Sequence, residues 1–552
     1  MVFAILLAMS ISTLEYGPFK TSGSVQIQFK WDTIFGQSQT APAKVWRFDL
    51  RPQFYFYNMP VSLNLFLSTE EENIRQQLNQ YQLEFEPEKL ITQFPSVPSF
   101  LFAFPGISFG SAYPEFSEFT LTQTRVDGFA FSYAPKPLYF EIASGKVDRA
   151  VSGDPDSVSV SFKRSLRGYK LGFGRPEGDH IHFIYIHSWD DPASLIPPDI
   201  IYGDTASVET TEAVSPMENY LVGVDFAFKA ANVFSMDAEV VASEVTTDTR
   251  FPVIEAEWLP SWVSRYFKPR LSSHFDYAAQ SKITVKVKDT EVQLNGKMVG
   301  PGFESFGASG LRNDILQYGT QIKTGFWKNR VSLNLGFQRE QDNLIGTKGA
   351  TTYLTDESFS LFLNFFPKWP STSISFNRYK QTTKGLGTFQ TIILGFTSVY
   401  NYMFKSSNMM SQIAVNYQRS DQPDTAYYNS QAFYTVMLTQ MLSFRFPLTL
   451  TASVNYSHYD LLDQIDRQWS LDLRASYNFQ SVFPELSLNY STGDIMSQVG
   501  ICGILRWTLP YDFTLSTELS AYKGKTSQST DENGESKDYS EYKFYISLSK
   551  SW

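Results

Sequence analysis

The chain has very few residues of the kinds that build disulfides, metal clusters and acid–base catalytic centres. Among 552 residues there are one cysteine, Cys502, and five histidines. A single cysteine cannot form an intramolecular disulfide or a cysteine cluster for zinc or iron–sulfur binding. Five histidines leave little material for a Ser–His hydrolase, and no phosphate-binding loop or dinucleotide fingerprint precedes a helix-like segment. We therefore expect a protein that is not an enzyme and that has no cofactor.

Charged residues and long apolar runs are also scarce. Charged residues make up 18% of the chain, below the roughly 25% of ordinary soluble domains. The net charge of −10 argues against nucleic acid as a partner. No apolar run reaches the roughly 18 residues that predict a transmembrane helix, which excludes a helical membrane protein. An aromatic content of 16% excludes global disorder.

What is abundant is strict alternation of apolar and polar residues. From Trp469 to Phe479 every odd-numbered residue is apolar and every even-numbered residue is polar or charged, and Leu448 to His458 alternates in the same way. Alternation predicts strands with one apolar face. Soluble sandwiches have strands of about 5–6 residues, whereas strands of about 9–11 residues cross a bilayer. The mean hydropathy of −0.23 fits a chain in which only every second residue faces lipid.

The spacing of these segments predicts the fold. Short connections such as 327–330 alternate with longer polar ones such as 338–355, 419–427 and 523–541, as short periplasmic turns alternate with extracellular loops in outer-membrane barrels. We predict an all-β protein, a single transmembrane antiparallel up-and-down β-barrel of about 26 strands (22–28) with long extracellular loops. The amphipathic last strand ends in Trp552 and resembles the signal read by the outer-membrane assembly machinery.

Three segments do not have the barrel pattern. Residues 1–14 have an apolar centre and small residues, which indicates a signal-peptide remnant, with a first apolar strand as the alternative. Residues 15–552 are then the barrel. Within it, residues 69–124 and 251–270 are candidate constriction or plug segments, because a wide barrel leaves an open lumen. The alternative is that they are ordinary long extracellular loops.

The alternation also assigns residues to the two faces of the wall. Polar positions predict a lumen-lining set: Asp237, Glu239, Asp472, Arg474 and Glu518. Aromatic residues at strand ends predict an interfacial girdle: Trp469, Phe479, Trp507, Phe513 and Trp552. His180 and His182 share one face of a strand and are weak candidates for a metal site. The same segment also has the pattern of an ordinary strand, so we expect no metal.

Three stretches resemble a little-characterised group of large outer-membrane β-barrel proteins of the Bacteroidetes and their relatives. They are FPGISFGSAYPEFSEFTL at 104–121, PRLSSHFDYA at 269–278 and GPGFESFGASGLRND at 300–314. The resemblance implies an outer-membrane barrel in a Gram-negative bacterium. It implies no reaction, no substrate and no functional residue.

Two functions remain open. The first is a channel or transporter that passes small polar or amphiphilic solutes across the bacterial outer membrane. The second is a non-transporting barrel that acts as scaffold of a secretion, motility or surface assembly. Expected partners are outer-membrane lipids, the assembly machinery and proteins bound at the loops or lumen. An outer-membrane enzyme or a soluble secreted β protein fits the sequence less well.

Overall fold

The fold is a wall of 26 strands. In the computed structural model, the described residues are 19–35, 43–70, 78–90, 99–151, 161–195, 214–254, 267–308, 310–366, 368–404, 407–422, 429–461, 464–494, 496–530 and 536–552. The first thirteen strands are β1 Phe19–Phe35, β2 Lys44–Phe56, β3 Met59–Ser68, β4 Gln80–Phe85, β5 Gly106–Ala112, β6 Val126–Tyr133, β7 Leu138–Asp148, β8 Lys163–Phe173, β9 His180–Asp191, β10 Glu218–Ala230, β11 Phe234–Thr246, β12 Ser273–Val287 and β13 Thr290–Val299.

The second half of the chain is more regular. Its strands are β14 Ile315–Phe326, β15 Val331–Asp342, β16 Thr352–Leu363, β17 Ser371–Thr383, β18 Gly387–Phe404, β19 Ser407–Gln422, β20 Asn429–Ser443, β21 Leu448–Leu461, β22 Gln464–Tyr477, β23 Val482–Gly493, β24 Met496–Leu509, β25 Phe513–Thr530 and β26 Ser536–Ser551. Short 3₁₀ helices lie at Pro87–Lys89, Ser99–Ala103, Pro192–Ser194 and Pro510–Asp512. Among the described residues, none belongs to a helix long and apolar enough to span a membrane.

Each strand pairs antiparallel with its neighbours in the chain, and β1 closes the barrel by pairing with β26 from Ser24↔Ser551 to Phe35↔Ser540. The prediction of a 26-stranded up-and-down barrel is therefore confirmed. Closure leaves no edge strand, so every wall strand has hydrogen-bonding partners on both sides. The start of β1 and the end of β26 lie at the same end of the barrel, which we call the terminal end. The opposite end is the far end.

Directly opposed residues on antiparallel strands point to the same side of a sheet, so the register defines one inward and one outward face. Outward apolar side chains are exposed along the whole circumference, as the outer face of a membrane barrel requires. Exposed aromatic residues ring the terminal end: Phe56, Phe173, Phe228, Phe326, Trp327, Phe366, Trp369, Phe404, Phe446, Phe479, Trp507 and Tyr511. A second set lies nearer the far end: Trp46, Tyr277, Tyr318, Phe337, Trp469, Tyr490 and Tyr542.

The two aromatic sets are one membrane thickness apart. Trp469 lies within β22 and Phe479 lies two residues beyond the end of that strand, so the two are ten residues apart along the chain. At about 3.4 Å per residue and a tilt of about 40°, this separation is roughly 25 Å along the barrel axis. An apolar band of that height, flanked by aromatic side chains, matches the hydrocarbon core of an outer membrane.

The far-end connections differ from the lengths that the sequence pattern predicted. Strand pairing extends well into the three segments expected as long loops, so that only 343–351, 423–428 and 531–535 connect the strands there. Polar residues continue the strands beyond the apolar band, because backbone pairing does not depend on an apolar outer face. The longest far-end connections lie instead in the first half, at 192–217 and 247–272.

Candidate functional site: two loops folded into the lumen

Two far-end connections fold back inside the barrel. The first plug loop, residues 113–125, joins β5 to β6, and the second plug loop, residues 300–314, joins β13 to β14. They meet inside the lumen, where Thr122 and Ala308 form a parallel bridge and Thr122 N donates to the Gly307 carbonyl over 3.0 Å. Ser305 Oγ donates to the Thr120 carbonyl over 2.9 Å. The two loops therefore form one unit, the plug.

The plug rests on an apolar patch of the inner wall. Phe119 and Phe303, one from each loop, pack edge to face with ring centroids 6.0 Å apart. Around them, Phe116 and Leu121 from the plug are buried against wall residues of β6 to β14: Val126, Ala143, Val147, Leu166, Ile184, Ile186, Leu221, Val241, Ala278, Val299 and Ile315. An apolar patch in an otherwise polar lumen is stable only when it is covered, which explains why the plug adheres to this side of the barrel.

Polar contacts fix the position of the plug on the patch. The Phe119 backbone N–H donates to Glu239 Oε1 over 3.1 Å. The Glu304 carbonyl accepts hydrogen bonds from Ser243 Oγ at 2.7 Å and from Asn219 Nδ2 at 3.2 Å. These wall side chains are buried, so their hydrogen bonds to the plug backbone replace water that the plug excludes.

Two ion pairs hold the edges of the plug. Lys297 Nζ lies 2.7 Å from Glu118 Oε1, and Lys348 Nζ lies 2.6 Å from Asp314 Oδ2. Burial raises the pKa of the Glu118 carboxyl, but the Lys297 ammonium outweighs it, so the net pKa lies below its ordinary value. The pKa of Asp314 is also lowered, because burial, which raises it, is outweighed by Lys348 together with hydrogen bonds from the Leu344 and Asn343 backbone N–H groups. Both carboxylates therefore stay ionised at neutral pH.

A cleft opens beside the plug toward the lumen. Its volume is about 670 Å³, and its lining includes Glu118, Lys297, Arg312 and Glu340. Arg312 Nη1 and Glu340 Oε1 pair at 2.7 Å. The lining of the cleft therefore carries both signs of charge.

The open part of the wall is polar, and one arc of it is uncharged. Following the register from β11, the inward side chains of the described parts of β17 to β21 include no Asp, Glu, Lys, Arg or His. They are mainly Ser, Thr, Asn and Gln, with scattered Met, Phe and Tyr. Neighbouring hydroxyls and amides bond one another across the strands, as Thr391 and Ser420 do at 2.9 Å and Thr439 and Ser453 at 3.0 Å.

The register places all five predicted lumen residues on the inward face. Glu239 holds the plug, and Asp237 lies on the same face of β11. Asp472 and Arg474 lie inward on β22, with Arg474 Nη1 3.5 Å from Glu485 Oε1. Glu518 lies inward on β25, where Cys502 Sγ is 3.8 Å from its Oε1. The contact of Glu239 with the plug was not part of the sequence-based prediction.

The predicted girdle residues occupy two kinds of position. Trp469, Phe479 and Trp507 are exposed on the outside of the wall. Phe513 is buried with Val25 and Leu50 at the terminal end, and Trp552 packs against that cluster. The Trp552 backbone exchanges two hydrogen bonds of 3.0 Å with Gly23, which ties the end of the chain to β1.

The candidate plug segments of the sequence divide into parts with different positions. Within 69–124, β4 and β5 belong to the wall, residues 113–124 form most of the first plug loop, and 71–77 and 91–98 are outside the described residues. Of 251–270, residues 255–266 are also outside the described part. Phe267 packs on Tyr220 and Phe275, whose side chains point outward. The signal-peptide prediction for 1–14 concerns residues that the structure does not describe.

The second plug loop was not among the predicted plug segments. A signal for the wall patch was present in the sequence, since the middle parts of β9 and β10 carry apolar residues on both faces. Phe183 points outward while Ile184 and Ile186 point inward, and Leu221 faces the plug between outward Tyr220 and Val222. In a barrel with a wet lumen, a two-sided apolar strand indicates that something covers its inner face.

Comparisons with known proteins add little to this geometry. No protein-family model matches the chain, and no curated protein matches it. Among solved structures, OccAB4 of Acinetobacter baumannii aligns with 61% of this chain and 92% of its own, at 11% identity and a TM-score of 0.30. OpdK of Pseudomonas aeruginosa, solved with vanillate, aligns with 61% of this chain and 93% of its own, at 10% identity and a TM-score of 0.30. A BenF-like porin from Pseudomonas fluorescens aligns with 62% of this chain and 94% of its own, at 12% identity and a TM-score of 0.29. At such TM-scores, function has to be argued from this chain's own residues.

Proposed function

We propose that this protein is an outer-membrane channel that passes small polar or amphiphilic solutes through the part of its lumen beside the plug. The outer membrane is the location that a closed barrel with an apolar, aromatic-flanked outer face requires. The assembly machinery would recognise the amphipathic last strand, β26. Neither the recognition of β26 nor the passage of a solute needs a catalytic group, and the proposed activity is not enzymatic.

The observation that carries this proposal is the one-sided position of the plug. Strands spaced about 4.8 Å apart and tilted by about 40° give a 26-stranded barrel a backbone diameter of roughly 50 Å, if it is round. The described plug residues pack on the consecutive strands β6 to β14. The inward faces of β15 to β26 and of β1 to β4 carry polar side chains that form no part of the plug cluster. A plug on one side narrows a lumen of this width without filling it.

The uncharged arc and the charged cleft suggest which solutes pass. Hydroxyls and amides of β17 to β21 suit neutral hydroxylated solutes, because they donate and accept hydrogen bonds without a net field. The Met, Phe and Tyr side chains among them offer contacts to the apolar parts of an amphiphile. On the other side, four charged residues of the cleft form the pairs Lys297–Glu118 and Arg312–Glu340, and Glu115 adds one further carboxylate, so we expect weak selectivity with a slight preference for cations.

Single-channel recording tests the proposal. Detergent-purified protein, shown to be folded by heat-modifiable migration in electrophoresis, is inserted into planar bilayers. Reproducible conductance steps are expected. Folded protein that inserts but gives no steps would overturn the channel and favour the scaffold alternative, for which pull-down of partners is the next experiment.

A further inference from the structure

Three side chains that bind metals in other proteins converge on the inner wall below the plug. His180 and His182 lie inward at the terminal end of β9, and Asp225 faces them from β10. Their ligand atoms, one nitrogen from each imidazole and one carboxylate oxygen, all lie within 4.8 Å of one another. His180 Nε2 is 3.1 Å and His182 Nδ1 is 3.8 Å from Asp225 Oδ2. The two imidazole rings stack with centroids 4.4 Å apart.

The surrounding backbone fixes which nitrogen of each ring is available. His180 Nδ1 lies 2.9 Å from the Gly178 carbonyl, and His182 Nε2 lies 2.9 Å from the Gly174 carbonyl. A carbonyl oxygen only accepts, so each of these nitrogens carries a proton and donates it. In a neutral imidazole the other nitrogen then holds a lone pair. The His180 Nε2 also hydrogen-bonds Asp225 Oδ2 at 3.1 Å, and because a carboxylate oxygen only accepts, this contact requires a second proton on the ring, which a bound metal ion would displace. A backbone carbonyl that accepts the other N–H is typical of metal-binding histidines.

One of these nitrogens has no partner. His182 is fully buried, and its Nδ1 forms no hydrogen bond. A buried acceptor without a donor costs about 1–3 kcal/mol. A metal ion bound there removes this cost. In a tetrahedral site with bonds of about 2.0–2.1 Å, ligand atoms are about 3.3–3.4 Å apart. The two distances to Asp225 Oδ2, 3.1 and 3.8 Å, bracket that value, and the two ring nitrogens lie within 4.8 Å of each other. Because the rings are stacked nearly parallel and a metal lies in the plane of each imidazole, one ring has to rotate for both to bind the same ion.

The ammonium of Lys170 pairs with the same carboxylate. Its Nζ lies 3.4 Å from Asp225 Oδ2 and donates to the Phe116 carbonyl of the first plug loop over 2.5 Å. The lysine is almost completely buried. A divalent ion at Asp225 competes with this ammonium for the carboxylate. Metal binding is therefore linked to a side chain that also contacts the plug.

We propose that His180, His182 and Asp225 form a site for a divalent first-row transition metal, with Zn²⁺ as the best fit to two imidazoles and a carboxylate. Asp225 is the least buried ligand, with 21% of its side chain exposed, so the fourth position opens to the lumen and holds water. This site does not depend on whether the barrel conducts.

Metal titration tests the site in the full-length protein, prepared without a histidine tag and stripped with a chelator. Zn²⁺ is titrated in competition with a chromophoric chelator, and Co²⁺ is followed by its visible absorption, which is intense only in four- or five-coordinate sites. The wild type is expected to bind one ion per chain. Asp225→Asn and His180→Ala are expected to weaken binding by roughly 100-fold or more, beyond the 10–100-fold typical of losing an outer-shell partner.

His458→Ala is the matched control. This imidazole lies on the outward face of β21, stacked on Tyr434 with centroids 4.6 Å apart, and its removal is expected to leave the affinity unchanged. Absence of a stoichiometric Zn²⁺ site in the folded wild type would overturn the proposal, as would equal affinity in the wild type and Asp225→Asn. Asp225→Asn keeps the shape of the side chain, and heat-modifiable migration shows that it is folded.

Lys170→Met tests the competition. Without the ammonium, Asp225 is free for the metal, and Zn²⁺ is expected to bind about tenfold more tightly, a gain of ~1.4 kcal/mol. Unchanged or weaker binding in Lys170→Met would show that the lysine does not compete and would overturn this part of the proposal.

Discussion

Phe119→Ala tests whether the plug limits conduction. Phe119 is fully buried between the wall patch and Phe303, and its backbone N–H bonds Glu239. Truncating a buried phenylalanine costs about 3–5 kcal/mol. Phe119 packs only where the plug meets the wall, so we expect most of this cost to fall on plug docking. At about 1.4 kcal/mol per tenfold change, the fraction of time that the plug is detached rises about a hundredfold to several thousandfold.

Planar-bilayer recording measures this change. We expect Phe119→Ala to show either a larger main conductance or frequent transitions to a larger level that the wild type rarely visits. Phe362→Ala is the matched control, because Phe362 points inward on β16 and is 43% exposed, away from the plug. Folded Phe119→Ala with the conductance and gating of the wild type would refute the assignment of the two loops as a constriction.

Three further predictions follow from the plug and the wall. A Cβ added at Gly168 would lie 2.8 Å from the Phe116 ring, so Gly168→Val is expected to displace the plug and raise the conductance. Gly296→Ala is the control, because a Cβ added there meets no atom within 4 Å, and its conductance is expected to equal that of the wild type. Because Lys297 lowers the pKa of Glu118 below its ordinary 4.5, the ion pair stabilises the plug at neutral pH and loses that contribution as the pH falls through the lowered pKa. Recordings from pH 7 to 3 should show opening of the plug only at the acid end, and an opening centred near pH 6 would contradict this prediction. Val240 lies on the outward face and is 55% exposed, so Val240→Arg is expected to lower the free energy of unfolding in lipid vesicles by about 2–4 kcal/mol. Asn416 lies on the inward face in the uncharged arc, so Asn416→Arg should leave the free energy of unfolding nearly unchanged and shift ion selectivity toward anions.

The wall was predictable from sequence because its signal is local. The alternation at Trp469–Phe479 fixes both the strand and the face of each residue, and backbone pairing then follows from closure. The plug is a long-range feature. Its two loops are separated by eight strands, and the contact of Phe119 with Phe303 has no local sequence signature. The two-sided apolar strands β9 and β10 showed where a cover is needed but not which segment supplies it.

The metal candidates illustrate the same limit. The spacing of His180 and His182 places both on one face, which the sequence shows. The third proposed ligand, Asp225, comes from the next strand, β10, after the long connection 192–217. Its register opposite His182 is therefore a property of the folded sheet and is not visible in the sequence spacing. The two carbonyls that fix the ring nitrogens belong to the turn between β8 and β9, and only the turn geometry brings them into position.

The bridge between Thr122 and Ala308 has a mechanical consequence. It joins two loops that are separated along the wall by eight strands, β6 to β13, like a chord across an arc. Such a chord fixes the curvature of the arc from β6 to β14, because the wall cannot flatten there without breaking the bridge and uncovering the apolar patch. The plug cluster places no such brace on the remaining strands. We therefore expect the barrel to deform unevenly under lateral pressure from the membrane, with changes of cross-section confined to the strands outside this arc.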